Sequence, residues 1–220
     1  MRRLRKQCIG LGLFAALTVC TAMSATDDDE MAFAEAIAMW ATYAHEVRTE
    51  SGLDEARREI SAAQASGFWH QAYQRLMRVR PDLAKPDTPR SVILDFALEV
   101  VKRHAPEDEQ LVREEFDQLR AATTLGMLQT IGKALDAYQM NEGVFPASGN
   151  RNLVEALING GWSYLALPEG RFDQDGQILD DWRRPIVFLS IDGHSYTLYS
   201  LGPNGADEGG AGDDPATSWP

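Results

Sequence analysis

Between Gly202 and Asp214 the chain carries no lysine or arginine, only glycine, carboxylates and small neighbours. No other stretch constrains the fold as much. Asp207, Glu208, Asp213 and Asp214 repel one another in a closed loop unless a cation lies among them. The glycines let the backbone turn so that carbonyls as well as carboxylates face inward. Oxygen donors on such a loop suit calcium, which takes six to eight of them and no sulfur. The opposite reading is a solvated acidic tail, a common use of this composition. Thr217-Ser218-Trp219 speaks against it, because an indole at a chain end is costly to leave in water. Ahead of the loop, Tyr196, Leu198 and Ser200 alternate with Thr197, Tyr199 and Leu201 as in a strand.

The formal net charge of −12 argues against a nucleic-acid partner, whose phosphates need lysine and arginine. Arg2, Arg3, Arg5 and Lys6 precede an apolar run from Cys8 to Val19 and then Thr21-Ala22-Met23-Ser24-Ala25. That order is the one of a secretory signal peptide over 1–25, with a cleavage site at Ala22-Met23-Ser24. Lipidation at Cys20 and retention as a membrane anchor are the alternatives; Val19 fits a lipoprotein box poorly, and the apolar run is short for a span. Export to the periplasm or beyond is the expectation, with a membrane contact only if the leader is kept or lipidated. Cys8 and Cys20 both lie in this leader, so the exported chain has no disulfide and no thiolate metal site.

Residues 26–105 are expected to be helical. Asp27-Asp28-Asp29-Glu30 places negative charge ahead of a helix from Met31 to Arg48, where Phe33, Ile37, Trp40 and Ala44 recur at helical spacing. A second helix is expected from Asp54 to Ala65, a break at Ser66-Gly67, and a third helix through Phe68, Ala72, Leu76 and Met77. Pro81, Pro86 and Pro89 mark a linker, and Ser91 to His104 reads as a fourth helix. His45, His70 and His104 show no ligand spacing and read as surface or helix-end residues. Trp40 and Trp69 read as core.

Pro106 begins the next helix, expected to run to about Met140. Its apolar stripe is Phe116, Leu119, Met127, Leu128, Ile131, Leu135 and Tyr138, with Gly126 or Gly132 as a bend and Gly143 as a left-handed cap. A short helix over Asn152–Ile158, a packed segment of Trp162, Tyr164, Leu165 and Leu167, and a hairpin follow. Its strands, 185–191 and 195–201, flank Asp192-Gly193-His194. Asp173-Gln174-Asp175-Gly176 resembles a calcium loop only superficially, because Arg171 and Trp182 occupy the outer ligand positions. It reads as a surface turn.

Four segments in order resemble the major pseudopilin of type II secretion systems. Leu198-Tyr199-Ser200-Leu201-Gly202, the acidic loop and Thr217-Ser218-Trp219 are similar to that family's C-terminal signature. Ala134 to Tyr138 followed by Asn141-Glu142-Gly143-Val144-Phe145-Pro146 resembles its helix exit. Leu153-Val154-Glu155-Ala156-Leu157 resembles its second helix, and Asp180-Asp181-Trp182-Arg183-Arg184-Pro185 its Asp-Pro-Trp-Gly-Asn-Pro turn. The family's prepilin leader and N-terminal polymerisation helix find no counterpart in the residues before 106.

The resemblance implies an α+β fold: an N-terminal helical region over 26–105, then over 106–220 a pilin-like domain whose long spine helix packs on a small antiparallel sheet. It implies calcium in the terminal loop, with the Leu201 carbonyl and Asn204 as early ligands. Asp213 and Asp214 are the later ones, joined by Ser218 through backbone or hydroxyl. Pro215 stands where a further acid belongs, which leaves Asp207 to supply it. The function implied is structural and non-catalytic, with a protein partner among secretion-apparatus components. The alternative is an exported ligand-binding module or enzyme that uses the fold as scaffold and carries a metal-free acidic tail.

Overall fold

Asp29 and Glu30 fall inside a helix rather than ahead of one, and their charge ties helices together instead of capping an N-terminus. The computed structural model describes the backbone of residues 7–50 and 55–219 and the side chains of 27–50 and 55–217. The expected signal peptide over 1–25 lies outside the residues whose side chains are described. Among the described residues no helix is long and apolar enough to cross a membrane.

Helix α1 is Gln7–Thr49, α2 Glu55–Val79, α3 Arg90–His104, α4 Glu109–Glu142 and α5 Asn150–Val154. The strands are β1 Val187–Ile191, β2 Ser195–Tyr199 and β3 Ala216–Trp219. Contacts divide the chain into two units: Met1–Lys85 with Asp95–Arg113, and Pro86–Leu94 with Glu114–Pro220. The expected sequential boundary near 105 is therefore crossed more than once, because α3 and α4 each contribute to both units.

In the first unit α2 runs unbroken through Ser66-Gly67, where the sequence suggests two helices. The aromatic side chains that follow the glycine hold it. Tyr43 stacks on Phe68 with ring centres 5.7 Å apart, and Trp40 meets Trp69 at 5.3 Å. Packing of this kind outweighs the roughly 1 kcal/mol that an internal glycine costs a helix. Phe33, Ile37 and Ala41 of α1, Leu76 of α2 and Ala97 and Val100 of α3 are buried, and Phe33 stacks on Phe96 at 5.8 Å. Asp29 pairs with Arg75 at 3.0 Å, and Glu30 pairs with Arg103 and, at 3.3 Å, with His104. His45 contacts Arg48 and His70 contacts Gln74, so the histidines serve neighbouring helical turns and ion pairs.

The second unit is built on α4, which passes Gly126 and Gly132 without a break. Gly132 has a packing role: a Cβ there would lie 3.0 Å from the Tyr196 hydroxyl oxygen. Met127, Leu128, Ile131 and Leu135 of α4 share one core with Leu153, Leu157, Phe188, Tyr196 and Leu198. Gly143, at φ 81°, ends the helix as the left-handed cap expected, its amide donating to the Gln139 carbonyl at 2.8 Å. After α5 the chain continues in one π-helical turn, Glu155–Asn159. Trp162 is 77 % exposed and takes no part in the packed segment expected of it, whereas Leu165 is buried.

The sheet is antiparallel in the order β1-β2-β3, with Ile191 opposite Ser195 and Tyr199 opposite Ala216. Asp192 (φ 50°) and Gly193 (φ 76°) make the expected hairpin turn. The third strand was not apparent in the sequence; the Thr-Ser-Trp end returns to the sheet as backbone paired with β2.

Candidate metal centre

β2 leads directly into the acidic loop, and the loop closes because β3 returns beside β2. The Ser200 amide donates to the Pro215 carbonyl at 3.0 Å, which pins the loop's two ends together. Gly202, at φ 58°, lies so near that a Cβ would sit 2.5 Å from the Asp213 carbonyl oxygen. Gly212 performs the same service for Glu208, whose carboxylate occupies the space a Cβ would fill. No side chain fits either position.

Inside this ring the carboxylates divide into two sets. Ligand oxygens of Glu208, Asp213 and Asp214 all lie within 4.8 Å of one another. Asp214 is buried; its Oδ2 accepts the amides of Glu208 at 3.0 Å and Gly210 at 3.2 Å. Its Oδ1 is buried as well and, among the described residues, has no hydrogen-bond partner. Glu208 Oε2 accepts the Asp213 amide at 3.2 Å, and Asp213 Oδ1 accepts from the Asn204 side chain at 2.7 Å. Like charges at this spacing repel by about 1 kcal/mol per pair in water and about 3 kcal/mol at an effective dielectric of 20. A hard cation bound among these oxygens would reverse that sign and give Asp214 Oδ1 a partner.

Asp207 belongs to the other set. It accepts the Tyr199 hydroxyl at 2.9 Å and the Gly209 amide at 3.0 Å. Burial, followed by the hydrogen bond to Asp207, pushes the Tyr199 phenol above its usual range. Of the other residues the resemblance points to, Leu201 offers its carbonyl to the Gly205 amide at 3.1 Å. The Asn204 oxygen accepts the Ala206 amide. Ser218 lies in β3, its backbone opposite Thr197, and its side chain falls outside the described residues. Glu208 is not among the ligands the resemblance implies; in sequence it is as acidic as Asp207, and only the turn decides which of the two joins Asp213 and Asp214.

The loop is anchored to the rest of its unit through the 180–184 turn. Buried Asp180 accepts the amides of Trp182 at 2.9 Å and Arg184 at 2.8 Å on Oδ1, and the Ser200 hydroxyl on Oδ2. Asp181 pairs with Arg171 at 3.0 Å, and the Trp182 indole donates to Asp117 of α4 at 2.8 Å. Arg183 adopts φ 63°, a left-handed conformation rare for a side chain of that size.

A long helix laid on a three-stranded antiparallel sheet, closed by an acidic loop after the second strand, defines a pilin-like α+β domain. Residues 112–219 match the family model for protein G of the type II secretion system. Over 112–219 the chain is thus similar to protein G, the major pseudopilin, as a pseudopilin C-terminal domain, and the match supports a secretion-associated structural role. No curated protein and no solved structure matches the chain.

Proposed function

We propose that this protein is an exported, non-catalytic component or accessory of type II secretion whose pseudopilin-type domain is completed by a calcium ion. Glu208, Asp213 and Asp214 would hold the ion, with backbone carbonyls and solvent supplying the remaining oxygens. The observation that carries the reading is the buried Asp214 Oδ1, which has no hydrogen-bond partner among the described residues and lies within reach of two further carboxylates. A carboxylate oxygen buried without a partner is costly, and a cation is the partner that three anions share.

The role that follows is stabilisation. An ion that binds the folded loop and not the unfolded chain raises stability by mass action. In a calcium-rich compartment the loop is then fully ordered; without calcium the carboxylates of Glu208, Asp213 and Asp214 push its second half apart. The family points to the cell envelope as the place of action and to other secretion components as partners, and the helical region over 26–105 would dock there. The basic-apolar-small order of residues 1–25 supports export.

Thermal melts in calcium and in chelator test the ion, with Asp214→Asn as the control. The expected result is a calcium-dependent rise of several degrees that the substitution removes. Identical melting of the unsubstituted chain in both buffers would overturn the calcium assignment.

A further inference from the structure

Arg184 is a cation that the chain itself brings to the loop. Its guanidinium donates to the Gly202 carbonyl and, at 3.3 Å, to that of Pro203. A Cβ at Gly205 would stand 2.9 Å from Arg184 Cζ, so the glycine lets the backbone lie directly against the guanidinium. The same segment closes on itself through the Gly205 amide to Leu201 and the Ala206 amide to Asn204. Arg184 is held in turn by buried Asp180, which accepts its amide at 2.8 Å and the Ser200 hydroxyl at 2.6 Å. Ser200 Oγ then accepts the Gly202 amide at 3.1 Å. Residues 202–206 are thus tied to the domain by a positive charge on their carbonyls and a hydroxyl on their first amide.

Residues 208–214 are organised differently. Their amides donate to the loop's own carboxylates, Glu208, Asp214 and Asp207, the Asn204 side chain reaches across to Asp213 Oδ1 at 2.7 Å, and the charged groups that meet there are negative. We infer that Arg184 is a positioning residue that forms the first half of the loop without metal, leaving only the second half to be ordered by the ion. The loop therefore has two parts with different anchors, which meet where Asn204 bonds Asp213. A planar fork suits this task, since it reaches two carbonyls at once where an ammonium presents a single point charge. The second part of the inference rests on the calcium reading; the first does not.

Residue-resolved amide exchange on the full chain, in calcium and in chelator, separates the two. In chelator the Gly205 and Ala206 amides are expected to stay protected, while Glu208, Gly210 and Asp213 exchange at least about tenfold faster than in calcium. Arg184→Met should expose Gly205 and Ala206 about tenfold in both buffers, with the sheet amides of Phe188 and Leu198 unchanged as the sign that the domain is folded. Arg184→Lys should restore part of that protection. Rapid exchange of Gly205 and Ala206 in chelator, or their continued protection in Arg184→Met, would overturn the role of Arg184. Calcium-insensitive exchange at Glu208 and Gly210, with Gly205 still dependent on Arg184, would overturn the ion and leave the clamp standing.

Discussion

Ser200 donates its hydroxyl to Asp180 Oδ2 at 2.6 Å, with both residues buried, and this bond joins the turn before β1 to the start of the acidic loop. Burial pushes the Asp180 carboxyl above its ordinary value of 3.8, while Ser200 and the amides of Arg184 and Trp182 pull it back. The net direction is upward, so the folded chain holds this proton to higher pH than the unfolded chain does. The resulting stability is full below the ordinary carboxylate range and is lost as pH rises through the folded value. Asp180→Asn keeps an oxygen for the two amides and removes the ionisation. In urea titrations across about pH 4 to 7 the variant should gain on the parent as pH rises. A constant difference would show that Asp180 does not titrate with folding. Ser200→Ala should cost about 1–3 kcal/mol throughout.

Gly126 and Gly132 lie on the same helix and should respond oppositely to alanine. Nothing approaches a Cβ at Gly126 within 4 Å, so Gly126→Ala should stabilise by about 0.5–1 kcal/mol. At Gly132 the new methyl meets the Tyr196 oxygen at 3.0 Å, and Gly132→Ala should destabilise. On a Tyr196→Phe background that penalty should vanish, which a double-mutant cycle by thermal melting reads directly. Burial, with Asp136 nearby, also pushes the Tyr196 phenol up to about 12. The stability it contributes is present below pH 10 and lost as pH approaches that value, and absorbance titration should show one phenol ionising late.

Asn150 joins two segments that its sequence context does not announce. Its Oδ1 accepts the Ile178 amide at 2.8 Å, and its Nδ2 donates to the carbonyls of Ile178 and Ile186, each at 2.9 Å. The residue is buried, so truncation leaves one amide and two carbonyls without partners or water. Asn150→Ala should cost about 2–4 kcal/mol in urea unfolding. Asn150→Asp turns the donor toward two carbonyls into an acceptor, and should be less stable at pH 8 than at pH 5; equal stability at both would show that a water takes up the lost bonds.

What was legible in the sequence was whatever rests on local periodicity. The stripe from Met127 to Leu135, the alternation in 195–199 and the Gly143 cap depend on near neighbours, and the structure has them where the pattern puts them. Contacts distant in sequence were not legible. Gly67 reads as a breaker until Trp40 and Tyr43 pack on the residues beside it. The 216–219 segment is too short to declare itself a strand before the loop brings it to β2. Within the loop, composition pointed to a cation, but the direction of each carboxylate depends on glycine torsions that composition does not encode.

Asp207 and Glu208 make that last point testable. Asp207 is spent on the Tyr199 hydroxyl, whereas Glu208 shares its space with Asp213 and Asp214. If the ion sits among the latter three, Glu208→Gln should weaken calcium binding by about tenfold or more, and Asp207→Asn should leave it nearly unchanged while letting Tyr199 titrate closer to its usual range. Stability should cross over as well. In chelator, Glu208→Gln removes a like charge and should melt higher than the parent; in calcium it lacks a ligand and should melt lower. A uniform loss in both buffers would mean that Glu208 is merely structural, through its bond to the Asp213 amide. The reverse pattern, with Asp207→Asn abolishing the calcium response and Glu208→Gln retaining it, would move the ion to the Tyr199 side of the loop.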